Sequence, residues 1–329
     1  MKRTASLLSA FACSGALFLV GCGDSGTPDV QIPANYNPSM STAKYRVTEL
    51  LVPQGPDKYA FDLNDPSGKN PDNQLGAIIQ ILKTSMLDTQ AGVTEQVAMG
   101  KVNLLIGTDL MNAAGAIASV AVGAPSDTPP PATPTGNETF TMQANQKPGI
   151  FGGTFKNNVY TSNNPARATT PVELTIQLPL VTGAAPIDLK VTAGRITFTV
   201  MSDQLVMGQI NGAIRKSDVD TSIIPAVTAL LDERVQMNPT GDTEKQIKML
   251  FDTGTGCTAT DKNPDGTTAA SGDGKIALCE VLNSSIIKST LRADVDLFDA
   301  SGNYKPNPAN TDKDSLSLGL GFKAYKAVW

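Results

Sequence analysis

The sequence predicts a mainly β protein of the α+β class, an antiparallel β-sandwich with a helical insertion near residues 217–292. Three observations predict it. Between Thr139 and Ile210, short runs rich in Val, Ile, Thr, Leu and Phe follow one another, punctuated by Pro and Gly, as closely spaced antiparallel strands require. Within them, Val172-Glu173-Leu174-Thr175-Ile176-Gln177-Leu178 alternates apolar and polar residues strictly, which gives one face to bury and one to wet. After Asp220 the apolar period lengthens from two residues to that of a helix.

In chain order, Tyr45 to Val52 reads as a strand and Pro56 to Asp72 as a polar loop. Leu75, Ile78, Ile79, Leu82 and Met86 recur at helical spacing, with Asp72 or Asn73 as the cap. Val102–Ile106 and Ala116–Val122 suit buried strands. The Pro-rich stretch 124–136 stays extended and cannot enter a sheet centre. It is either a linker between two domains or a long loop within one, and the small core of the first part alone favours the loop. Strands are then expected at Thr139–Gln143, Gly149–Phe155, Val172–Leu180, Ile187–Val191, Arg195–Val200 and Leu205–Ile210. Ile223, Ile224, Val227, Leu230 and Leu231 mark one helix. Thr243 and Gln246 read as a capping box ahead of Ile247, Leu250 and Phe251, and Leu278, Leu282 and Ile286 mark a third helix. Leu316, Leu318, Leu320, Phe322 and Ala324 alternate with Ser315, Ser317, Gly319, Gly321 and Lys323 as a closing strand.

The amino terminus carries a different signal. Lys2-Arg3 precede an apolar stretch from Ala5 to Val20, the pattern of an export signal over residues 1–21. Ser6, Ser9, Ser14 and Gly15 interrupt it, which argues against a permanent span of ~20 apolar residues. Leu19-Val20-Gly21-Cys22 resembles the lipobox of bacterial lipoproteins. The resemblance implies cleavage before Cys22 and lipid on that cysteine, hence an envelope protein anchored in a membrane. Gly23, not an acidic residue, follows the cysteine and points to the outer membrane of a Gram-negative cell. Residues 22–43 read as a tether, and 44–329 as the β-rich body. Asp252 to Trp329 is also similar to segments of uncharacterised bacterial lipoproteins, a likeness that implies no activity.

Composition excludes several functions. Without residues 1–21 the chain has 24 basic against 31 acidic residues and no basic cluster, a poor match to nucleic acid. It has no histidine, so Ser-His-Asp and Cys-His pairs and imidazole zinc sites are excluded. An enzyme built from it has to use carboxylates, a Ser–Lys pair or an oxygen-bound metal. Aromatics make up 5% of the chain and the sole tryptophan is Trp329, which disfavours an aromatic sugar-binding platform. Of four cysteines, Cys13 leaves with the signal and Cys22 takes the lipid. Cys257 and Cys279 are then expected to form a disulfide in an oxidising compartment.

Site-like chemistry gathers in the helix-loop-helix 243–291. Asp261, Asn263, Asp265 and Gly266 resemble the front of an EF-hand calcium loop, and Asp273, Gly274, Ile276 and Glu280 its back. The two halves do not share a register, because the twelfth place from Asp261 is Gly272. Asp252 offers another first ligand. Two readings stand: a calcium site with ligands Asp261, Asn263, Asp265, Asp273 and Glu280, or a solvated loop pinned by Cys257–Cys279. No other cofactor and no catalytic residue is indicated. The leading expectation is a non-enzymatic envelope lipoprotein that binds an envelope protein or glycan partner or has a structural role. A calcium-dependent ligand-binding or adhesive module and a carboxylate-based hydrolase are the alternatives.

Overall fold

Alternation and turn chemistry convert the chain between Ala43 and Lys326 into nine strands. The computed structural model describes residues 30–65, 71, 73–84, 88–111, 115–179, 182–183 and 185–329. The segment 1–21 read as an export signal, Cys22, Asp72, Met86 and Leu180 lie outside the described residues. The strands are β1 (Ala43–Leu51), β2 (Asn103–Asp109), β3 (Ala116–Gly123), β4 (Gly149–Lys156), β5 (Val159–Ser162), β6 (Leu174–Leu178), β7 (Ile187–Met201), β8 (Gln204–Arg215) and β9 (Ser315–Lys326). The mainly β, antiparallel architecture with helices inserted before the last strand is as the sequence predicts.

The sheet order is β5-β4-β3-β2-β1-β9-β8-β7-β6, and β5 pairs with β7 as well as with β4. Val159 lies opposite both Lys156 and Thr199. The order therefore closes into a ring of eight antiparallel strands, with β6 attached along the N-terminal part of β7. Closure leaves the ring without the unpaired edges that invite aggregation. One sheet rolled until its edges meet thus supplies the two layers expected of a sandwich.

The alternation expected in the last strand decides which residues go where. Leu316, Leu318, Leu320 and Phe322 join Ile210 and Ile214 of β8, Ile196 and Phe198 of β7, Tyr160, Phe151, Val120 and Ile106 in one apolar core. Tyr160 stacks on Phe198 with ring centroids 4.9 Å apart, and its hydroxyl donates to the Phe151 carbonyl at 2.8 Å. The other face of β9 is small because a loop lies on it. A Cβ on Gly319 would collide with the Tyr59 carbonyl, and one on Gly321 with the Tyr59 ring.

Two helices cross from β1 to β2. In α1 (Gln74–Thr84), Leu75 and Ile79 are buried as expected. Asn73, just before the helix, turns its side chain to β9: its amide donates to Gly319 O and its carbonyl accepts from Gly319 N, both at 3.0 Å, which ties the helix start to β9. α2 (Thr89–Ala98) was not legible, since its buried face holds only Val93 and Val97 as large apolar residues beside Gly92 and Gln96. Asp88 caps it by accepting from Ala91 N at 3.0 Å. The buried Arg46 guanidinium holds α2 to β1 through Asn103 Oδ1, at 2.8 Å, and the Val97 carbonyl.

Several expectations need correction. Thr139–Gln143 forms only isolated bridges, Gly123 with Met142 and Thr139 with Val328, because the Pro-rich stretch feeding it cannot supply a ladder. That stretch joins β3 to β4, which are neighbours in the sheet. Ile187–Val191 and Arg195–Val200 are one strand, carried past Gly194 by a register shift between Thr192 and Arg195. β5, four residues long, is too short for an alternating pattern to show. Residues 30–42, read above as the end of the tether, run along the body: Thr42 Oγ1 donates to the Thr108 carbonyl at 2.9 Å, and Pro38 is buried.

The connections sort by end. At one end of the ring lie the tight turns after β4 and β7, at 157–158 and 202–203, with the finish of β2, the start of β1 and the finish of β9. From the other end depart α1–α2, the Pro-rich loop, the β5–β6 and β6–β7 connections, and the insertion between β8 and β9.

Candidate functional site

The insertion between β8 and β9 holds every residue read as a metal ligand. It begins with α3 (Lys216–Asp218), a π-helical turn (Val219–Ile223) and α4 (Ile224–Met237). The next helix, α5 (Asp242–Phe251), starts one residue before Thr243, with Gly241 in the cap position, so Thr243 stands inside the first turn and not at the cap. After the acidic loop come α6 (Leu278–Asn283) and α7 (Ser285–Thr290). The single third helix expected there is broken at Ser284, whose extended backbone (ψ 132°) ends one helix and caps the next.

Cys257 and Cys279 form a disulfide across the loop. Closing 22 residues this way contributes about 3 kcal/mol by restricting the unfolded chain.

Within the loop, carboxylates serve as caps for backbone N–H groups. Asp252 Oδ1 accepts from Gly272 N at 2.7 Å and Asp273 N at 3.1 Å, and its Oδ2 accepts from Gly274 N at 2.8 Å. Asp261 accepts from Thr258 N and Oγ1 at 2.7 and 2.8 Å. Both interactions hold its pKa below the usual carboxylate range. Asp265 takes Lys275 Nζ at 2.5 Å and Thr267 N and Oγ1 at 3.0 and 2.7 Å. The lysine, then the threonine, holds the Asp265 carboxyl far below its ordinary value.

Asn263 and Asp273 meet, with Asn263 Nδ2 donating to Asp273 Oδ2 at 2.8 Å. Asn263 is buried and its Oδ1 has no hydrogen-bond partner. Glu280 is also buried. It accepts from Gly254 N at 2.7 Å and from Ala277 N at 2.9 Å, the latter being the side-chain half of a capping box. Burial pushes its pKa up; the two N–H groups oppose this and the charges of Asp252 and Asp273 add to it. The structure thus joins Asn263 to Asp273 and Asp265 to Lys275, and places Asp261 in a turn of its own. Among the described residues, no three acidic or cysteine side chains gather as a metal would require.

Two further clusters were not visible in the sequence. Asp296 and Asp314 meet where the insertion returns to β9, and Asp294 takes a separate place on Ser317. Asp314 accepts from Leu297 N and Phe298 N at 3.1 and 2.8 Å, and its carboxyl hydrogen-bonds that of Asp296. Asp294 accepts from Ser317 N at 2.7 Å and from the Ser317 hydroxyl. Burial is the leading cause that raises the pKa of both Asp294 and Asp296. The spacing Asp-x-Asp was the only signal, and it is common in turns. The second cluster is a groove of about 540 Å³ between α4, α7 and the segment leading to β9. Ile224, Ile287 and Leu291 line it, with Lys216, Lys288, Arg292 and Lys313 among its polar residues. Its residues come from positions nearly a hundred apart, so no local motif reveals it.

Compared with family models, with curated proteins and with solved structures, the chain matches none. Among the described residues no helix is long and apolar enough to cross a membrane.

The raised carboxyls give stability a definite pH sense. Asp294 and Asp296 bind protons more tightly folded than unfolded, so unfolding free energy rises as pH falls through their folded pKa values towards the unfolded value of about 3.9. Below that, protonation of Asp261 and Asp265, whose pKa values are lowered, removes stability. Urea midpoints are expected to rise as pH is lowered towards about 4, and Asp294→Asn is expected to flatten that rise. Equal slopes in parent and variant would contradict the assignment.

Proposed function

We propose that this chain is a lipid-anchored protein of the cell envelope, in the outer membrane of a Gram-negative cell, whose folded body binds or scaffolds and does not catalyse. The observation that carries the proposal is Leu19-Val20-Gly21-Cys22 behind a short basic and apolar leader. The Cys257–Cys279 disulfide supports it, since such bonds persist in oxidising compartments outside the cytosol. The non-catalytic half draws on the absence of histidine and on the use of the acidic loop's oxygens as caps. The groove lined by Ile224, Ile287 and Leu291, with Lys288, Arg292 and Lys313 beside Asp312 and the paired Lys216 and Asp220, is a surface where a partner with apolar groups fits. Mass spectrometry of the amino-terminal peptide, from protein exported in a Gram-negative host, is expected to find acylated Cys22 as the first residue. A free thiol there, or an intact leader, would contradict the proposal.

A second reading rests on Asn263. Its buried, unpartnered Oδ1 lies beside Asp273, and Asp273 and Asp252 both bear on Glu280. On this reading the loop takes a calcium ion, with affinity in the extracellular range of about 10⁻⁴ to 10⁻³ M. Calorimetric titration of the full protein with calcium is expected to give heat that Asn263→Ala abolishes. No heat from the parent removes this reading and leaves the first untouched.

A further inference from the structure

Three features converge on one end of the ring. The first is topological. This end holds the tight turns after β4 and β7 and the finish of β2, while the long connections leave from the other. The second is exposure. Met111 is 89% exposed, Met207 67% and Met201 59%, and Met40, Val159 and Val328 are exposed as well. These six belong to five separate stretches of chain, and each lies in or beside a turn or terminus of this end. The third is where the chain enters. Val30 is fastened by Asn163, whose Oδ1 accepts from Val30 N at 3.3 Å and whose Nδ2 donates to Val30 O at 3.0 Å. Its side chain lies against Gly115 before β3, and its carbonyl against Gly152 of β4.

We propose that this end of the ring is a membrane-docking surface, lying on the lipid bilayer that holds Cys22. The proposal rests on the lipoprotein reading and deepens it, by stating which face of the body the bilayer meets. Eight residue steps separate Cys22 from Val30, about 29 Å at full extension, so an anchored cysteine keeps this end close to the lipid.

The chemistry of the rim fits a fluid lipid surface. Its most exposed apolar side chains are methionines, unbranched and adaptable, which suit a surface without fixed shape. Lys44, Lys156 and Lys326 stand at the same end, with Asp109 and with Asp203, which pairs with Lys326 at 3.5 Å. The Trp329 ring sits 4.9 Å from Lys44 Nζ, and tryptophan and lysine are both favoured at bilayer interfaces. The acidic loop 252–280 belongs to the insertion at the opposite end, away from anionic headgroups.

The test uses the full chain, exported and processed, then reconstituted into vesicles of phosphatidylethanolamine and phosphatidylglycerol. Single cysteines replace Met111, Met201 or, on α5 at the other end, Met249, and carry an environment-sensitive fluorophore. Cys257 and Cys279 are locked in their disulfide and do not label. Labels at 111 and 201 are expected to shift to the blue and to be quenched severalfold more by lipid-borne than by aqueous quencher, with 249 showing the reverse. Rim labels as accessible to water as the one at 249 overturn the proposal. A blue shift already present without vesicles or detergent assigns the rim to a second copy of the chain and also overturns it. Mass spectrometry on the same sample separates the two readings. Acylated Cys22 with water-exposed rim labels leaves the anchor and removes the docking. An unmodified Cys22 thiol removes the lipoprotein reading and the docking that rests on it.

Discussion

The pairing of β5 with β7 governs the rest of the molecule. Without it the sheet would be open, with β5 at one edge and β6 at the other. With it, eight strands share their backbone hydrogen bonds around a ring. Four residues suffice because β5 is held on both sides and from within. Val159–Thr161 lie opposite β4 and β7, and Tyr160 stacks on Phe198 while its hydroxyl binds the Phe151 carbonyl. A closed ring also decides where additions go. Each strand has its two neighbours, so helices and loops are added at the ring's end or laid on its outside.

That constraint gives the molecule its polarity. One end consists of tight turns and the chain's point of entry, and the other of the long insertions. The insertion before β9 is stapled by Cys257–Cys279 and folded around its own acidic side chains. It returns to the ring through Asp294 and Asp314, whose half-buried carboxyls grip Ser317 and the backbone at Leu297 and Phe298.

Legibility in the sequence followed how much of each pattern was carried locally. β9 was readable because leucine alternates with serine and glycine over its length, and the glycines turn out to make room for Tyr59. β6 was readable for the same reason. α2 was not, because Val93 and Val97 are too few to set a helical period. β5 was not, because its strand character comes from two partners remote in sequence. The acidic loop shows a different difficulty. Asp, Asn, Thr and Gly are both the residues of calcium loops and those of Asx turns. The sequence singled out Asp261, Asn263, Asp265, Asp273 and Glu280 for their oxygens, and the structure joins only Asn263 to Asp273 among them. Which oxygens cap an N–H and which stay open, as Asn263 Oδ1 does, is set by geometry that residue identity does not encode.

Ring closure is most directly tested by cross-strand nuclear Overhauser contacts in isotope-labelled protein. Closure requires Hα and amide contacts between Val159–Thr161 and Thr197–Thr199 in antiparallel register, alongside those between β5 and β4, with slow amide exchange on both sides of β5. Contacts from β5 to β4 alone, with fast exchange along its other side, would mean an open sheet and would contradict the architecture on which the two-ended molecule depends.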